Sequence, residues 1–134
     1  MSIRVGIDLA SVDAVRDSID AHAEHYLKRI YTDRELADCN TGTGLDPERL
    51  AARFAAKEAT LKVLRPDEEG VPWNTIEVRR HPAGWVDLEL SGPAAELAAR
   101  AGITELALSI AHEQGFATAV VTATCAQGTD AGTR

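Results

Sequence analysis

The chain has 134 residues, enough for one hydrophobic core, and its 45% apolar and 26% charged residues match an ordinary water-soluble globular protein. A net charge of −7 argues against general nucleic-acid binding and against docking on an anionic membrane, and no apolar run approaches the ~20 residues of a membrane-spanning helix. With no secretory signal ahead of a strand-like start, the expected compartment is the cytoplasm, and Cys39 and Cys125, which lack metal-ligand spacing, read as plain thiols.

In chain order, Arg4 to Ala10 alternates, with Val5, Ile7 and Leu9 on one side and Gly6, Asp8 and Ala10 on the other, which predicts a strand carrying Asp8 on its small-residue face. Ser11 or Asp13 caps a helix expected over roughly Val12 to Ala23, and Thr-Asp-Arg-Glu from Thr32 opens a second, short helix as a capping box. Asn40 to Gly44 is loop by composition. Asp46 as cap, Pro47 in the first turn and Pro66 as the stop bound a long helix running to about Arg65. Thr75–Arg79 and Trp85–Leu90 alternate as a hairpin, and Gly92-Pro93 opens an alanine-rich helix closed by Gly102. Two last strands are expected over Glu105–Ala111 and Phe116–Ala123, turning at Glu113-Gln-Gly115. The fold class expected is α+β, an antiparallel sheet with helices mainly on one face, as a single domain over 1–125 with a frayed tail at 126–134.

The long helix poses a chemical problem. In Arg53-Phe-Ala-Ala-Lys-Glu-Ala-Thr-Leu-Lys62, Glu58 falls one turn after Phe54 and just before Leu61, on the stripe expected to face the core, where an unpaired carboxylate would cost several kcal/mol. Asp8, Glu58, Lys62 and His112 are each weak signals alone. Together, two carboxylates without a Cys/His cluster suit a hard divalent cation such as Mg²⁺, and Lys62 with nearby arginines suits phosphate oxygens. Basic residues also gather at Arg79-Arg80-His81, at Lys28-Arg29, and along the long helix at Arg49, Arg53, Lys57, Lys62 and Arg65. No Walker loop, GxSxG elbow or HExxH helix is present.

Four stretches, VGIDLASVDAV, YTDREL, RFAAKEATLKVL and SIAHEQGFATAVV, resemble the holo-acyl-carrier-protein synthases, the small single-domain branch of the 4′-phosphopantetheinyl transferases. The resemblance runs from about Ile3 to Ala123. It implies transfer of the phosphopantetheine arm of coenzyme A (CoA) to a serine of an apo acyl carrier protein, with release of 3′,5′-ADP. It also implies Mg²⁺ at Asp8 and Glu58, a phosphate contact from Lys62, His112 near the same phosphates, and Arg53 and Lys57 as further CoA-phosphate contacts. Glu58, Glu113 or a metal-bound water are the alternatives for the base that takes the serine proton. A homotrimer is implied, with CoA between subunits.

The sequence departs from the family pattern at Ala111, where Ser or Thr is common, at Phe116, where Tyr is common, and at Thr60-Leu61. Its first helix sets Asp13, Asp17, Asp20 and Glu24 against Arg16, His22, His25, Lys28 and Arg29, where the resemblance implies basic residues that grip an acidic carrier helix. The mixture reads either as a solvated mixed-charge face or as the mark of a dedicated carrier protein, as in polyketide or other secondary pathways. Trp73 and Trp85 read as packing residues in preference to adenine platforms. Two other readings share these residues: a Mg²⁺-dependent phosphohydrolase, and a non-catalytic module binding CoA or a carrier protein.

Overall fold

The computed structural model describes residues 1–126, without the side chain of Ala23; the expected tail beyond Ala126 lies outside the described residues. The elements follow as β1 (Ser2–Ser11), α1 (Val12–Ile30), α2 (Asp33–Cys39), α3 (Pro47–Leu64), β2 (Ile76–Arg80), β3 (Val86–Leu90), α4 (Gly92–Arg100), β4 (Ile103–Glu113) and β5 (Phe116–Cys125). Helix ends fall where the chemistry places them. Ser11 accepts from the Ala14 N–H, Thr32 and Glu35 close a reciprocal capping box, Asp46 accepts from the Glu48 N–H, and Arg65 ends α3 in the left-handed conformation. The first helix runs a further two turns past Ala23, because no Gly or Pro interrupts it and Tyr26, Leu27 and Ile30 prolong its apolar stripe.

Strands β1, β5 and β4 form an antiparallel sheet with β5 central, and among the described residues β2 pairs only with β3, in a separate antiparallel hairpin. The class is therefore α+β, as expected, with the sheet divided in two. The core lies between the three-stranded sheet and α3. On the sheet side it consists of Ala10, Ala117, Ala119, Val121 and Ala123; on the helix side, of Leu50, Ala51, Ala55, Ala59 and Val63. A smaller cluster of Leu64, Ile76, Ala94 and Ala98 lies under α4, and Leu88 and Ile103 pack against both.

Small residues on the sheet let α3 sit very close to β1. At Gly6 a Cβ would collide with the Ala59 carbonyl oxygen and crowd Lys62, so only glycine admits this approach. The apolar residues of β1 point the other way. Ile3, Val5, Ile7 and Leu9 are 71%, 66%, 59% and 64% exposed, and no element among the described residues covers them. Among the described residues no helix is long and apolar enough to cross a membrane.

Candidate active site

The close packing at Gly6 brings Asp8 on β1 to the side of α3 that carries Glu58 and Lys62. Lys62 donates to the Ile7 carbonyl at 2.6 Å, and its ammonium stands 3.6 Å from Asp8 Oδ1. Arg4 donates to the Val63 carbonyl at 2.8 Å, a second tie of β1 to α3, and Thr118 on β5 donates to the Asp8 carbonyl at 2.8 Å, tying β1 to its neighbouring strand. Glu58 is half-buried, and its carboxyl is held above the usual carboxylate range by burial first and by the charge of Asp8 second, with Lys62 opposing. The expectation that Glu58 lies on the core-facing stripe is corrected here. Nearly all of the circumference of α3 is buried, and Phe54, Glu58, Leu61 and Lys62 form its least covered side.

Asp8 and Glu58 fit a magnesium ion. The charge of Asp8 raises the cost of ionising Glu58, and a cation between them removes that cost. Among the described residues no group of three or more His, Cys, Asp or Glu side chains gathers as a metal site, so an ion held by Asp8 and Glu58 would need its further ligands from water or phosphate oxygens.

A second basic group stands apart. Arg49, Arg53, Arg80, Val86, Ile110 and His112 line a cleft of about 140 Å³ between the first turns of α3, the hairpin and the end of β4. Arg53 is 4% exposed, donates to the Arg49 carbonyl at 3.3 Å, and leaves its buried Nε without a partner. A buried donor left unpaired beside three other basic side chains suits an anion, although Arg49 is already paired with Asp46 at 3.6 Å. His112 Nδ1 lies 3.2 Å from Glu48 Oε1, in the first turn of α3. Glu48 and Glu58 are ten residues apart on one helix, about 15 Å. The structure therefore groups Asp8, Glu58 and Lys62, separately groups Arg53 with His112, and does not bring Lys62 and His112 together within one chain. Glu113 is exposed at the end of β4, on the strand face opposite Ile110 and His112 and outside the arginine cleft, and it borders a separate shallow depression with His112, Leu9 and Phe116.

Lys57 is removed from the phosphate-binding set. Its side chain has no exposed surface, its ammonium lies 2.7 Å from an equally buried Glu35, and it donates to the carbonyls of Trp73 and Ile76. Trp73 stacks on Phe54 at 5.3 Å, as a packing residue. Trp85 stacks on His81 at 4.1 Å and stays 53% exposed. The convergence of Arg80 with Arg53, and the pairing of Glu48 with His112, were not foreseeable from spacing, since these residues meet only through tertiary packing. Gly6, beside Asp8, was the local signal available for the strand–helix approach.

Comparisons with known proteins show the family and the fold. The family model of the 4′-phosphopantetheinyl transferase superfamily matches residues 4–121. The chain is similar to the holo-[acyl-carrier-protein] synthase of Solibacter usitatus, 41% identical over 113 residues that make up 84% of this chain and 90% of the relative. Its fold is similar to that of the Chronobacterium ammoniagenes ACPS–CoA complex, with a TM-score of 0.83 and 29% identity over 95% of this chain and 100% of the other. It is likewise similar to the Helicobacter pylori holo-[acyl-carrier-protein] synthase in complex with coenzyme A, with a TM-score of 0.76 and 26% identity over 90% and 100%. The chain belongs to the 4′-phosphopantetheinyl transferase superfamily, in its holo-[acyl-carrier-protein] synthase branch.

Proposed function

We propose that this enzyme transfers the 4′-phosphopantetheine arm of CoA to a serine of an apo acyl carrier protein, Mg²⁺-dependently, with Asp8 and Glu58 as metal ligands and Lys62 on the pyrophosphate. The observation that carries the reading is the pair of facing carboxylates, Asp8 and Glu58, with the Lys62 ammonium fixed 3.6 Å from Asp8 beside them. A bound Mg²⁺ would supply Lewis-acid polarisation of the pyrophosphate and stabilise the leaving 3′,5′-ADP. The chain's own contribution is positioning. Lys62, held on the Ile7 carbonyl, presents a fixed cation to phosphate oxygens, so little reorganisation is needed when charge develops on the leaving group. Of the candidate bases, Glu58 belongs to the carboxylate pair itself, whereas Glu113 is exposed at the end of β4 and would have to come from a neighbouring subunit; a metal-bound water is the third alternative.

CoA carries anionic charge at two separated places, the pyrophosphate and the 3′-phosphate, and the chain offers two separated basic groups. The cleft of Arg49, Arg53, Arg80 and His112 is assigned to the 3′-phosphate. Because the two groups stand far apart in one chain, a site assembled between subunits of a homotrimer supplies both to one CoA, and the uncovered apolar row Ile3, Val5, Ile7 and Leu9 provides the contact face.

The carrier partner is read from α1. Its four acids face three fixed cations, Arg16, Lys28 and Arg29, and the first two are already paired with Asp13 at 2.8 Å and Glu24 at 3.8 Å. Such a surface gives little attraction to a strongly acidic recognition helix, and favours a dedicated carrier of weaker charge. The test is intact-protein mass spectrometry on apo carriers of graded helix charge, incubated with CoA, Mg²⁺ and enzyme. One phosphopantetheine mass is gained, fastest on the less acidic carriers, and Glu58→Ala abolishes it. Equal rates across the panel sink the dedicated-carrier reading; CoA breakdown without carrier modification sinks the transferase reading.

A further inference from the structure

Among the described residues the β2–β3 sheet has two strands, so the outer edge of β2 has no neighbouring strand there. Edge N–H and C=O groups inside a core still need partners. Side chains supply them here. Glu35 Oε2 accepts from the Val78 N–H at 2.8 Å, and Lys57 Nζ donates to the Ile76 carbonyl. The same ammonium donates to the Trp73 carbonyl at 3.2 Å and lies 2.7 Å from Glu35 Oε1, which also accepts from the Thr32 N–H at 2.9 Å. Glu35 and Lys57 thus stand where a third strand would run, and they tie the edge of β2 to α2 and to α3.

As a stabilising device this is a poor choice, because an apolar pair of similar volume often serves a core equally well or better. Its distinctive property is registry. Lys57 lies one turn after Arg53 on α3, while Ile76 and Val78 belong to the strand that ends at Arg80. Arg53 and Arg80 line the arginine cleft from those two elements. Whatever fixes β2 against α3 therefore fixes the width of the cleft.

We infer that the buried Glu35–Lys57 pair is a positioning device: it locks the hairpin to α3 so that Arg80 stays opposite Arg49, Arg53 and His112, and thereby sets the enzyme's preference for CoA over 3′-dephospho-CoA. The inference rests on the assignment of the cleft to the 3′-phosphate.

The experiment measures kcat/KM for CoA and for 3′-dephospho-CoA with the full chain and reports their ratio. Active-enzyme concentration cancels in that ratio, so a loss of folded protein alone leaves it unchanged. The parent enzyme and Arg80→Ala come first; a parent ratio near one overturns the cleft assignment, and the inference with it. Glu35→Leu/Lys57→Met then removes both charges at similar volume. Glu35→Asp keeps both charges and shortens the reach by one methylene, and it serves where the double variant does not fold. The ratio is expected to fall roughly ten- to a hundredfold, the scale of an ångström misplacement at a binding group, mainly through KM for CoA. An unchanged ratio in either folded variant, with Arg80→Ala having lowered it, overturns the inference and leaves the pair a purely structural staple.

Discussion

At the scale of single residues, the site is held against its own electrostatics. Glu58 is half-buried, faces Asp8, and has its carboxyl raised above the ordinary range, so the fold disfavours its ionised form. The sign of the consequence follows from linkage. A carboxyl with a raised folded value binds its proton more tightly in the folded state, so its contribution to stability improves as pH falls towards that value and is lost at neutral pH. Glu58→Gln removes the charge and keeps the shape. Its melting temperature at neutral pH is expected to be at or above the parent's, the gap closing as pH falls towards the raised value of the Glu58 carboxyl, while transfer activity falls by at least roughly a hundredfold. Thermal melts across pH, run beside the mass assay, check both halves. A variant that melts lower than the parent at neutral pH would remove electrostatic strain from the account.

Among the elements, α3 shows how far a single sequence reads and where it stops. Asp46, Pro47 and Pro66 were enough to place its ends, because caps and prolines act locally, and the helix runs Pro47–Leu64 as their chemistry requires. Its facing was not legible. With alanines at 51, 52, 55, 56 and 59 buried against a small-residue sheet, burial covers nearly the whole circumference, and Phe54 and Leu61 mark its open side. Lys57 misled for a related reason. A lysine beside Glu58 reads as a phosphate ligand, and only the fold shows that Glu35, known from sequence as a capping residue, waits for it in the core. Removing one member of that pair leaves a buried charge. Lys57→Ala is expected to cost about 3–5 kcal/mol, against about 1 kcal/mol for losing the helix cap in Asp46→Ala. Denaturant unfolding of both variants measures the difference; similar losses would mean that Lys57 is not charged in the folded core.

On the scale of the whole molecule, the division of the site and the exposure of β1 have one explanation. Alternation placed Val5, Ile7 and Leu9 on the same side of the strand, but which side met the core depended on α3 needing the small residues, a tertiary requirement that no local pattern carries. The result is an apolar row with Phe116 near its end, left uncovered by the chain's own helices and far more apolar than water-facing strands usually are. If subunits bury this row and complete each other's sites, assembly and activity must fail together. Ile7→Lys puts a charge in the middle of the row without touching the Asp8 side chain, which points to the opposite face. The variant is expected to elute as a monomer in light-scattering chromatography, with unchanged circular dichroism and with transfer activity reduced in proportion to the lost assembly. Raising its concentration until it reassembles should restore activity, because nothing at the carboxylate pair has changed. An active monomer would show that the arginine cleft and the carboxylate pair of one chain serve the same CoA, and would move the divided site from between subunits back into a single one.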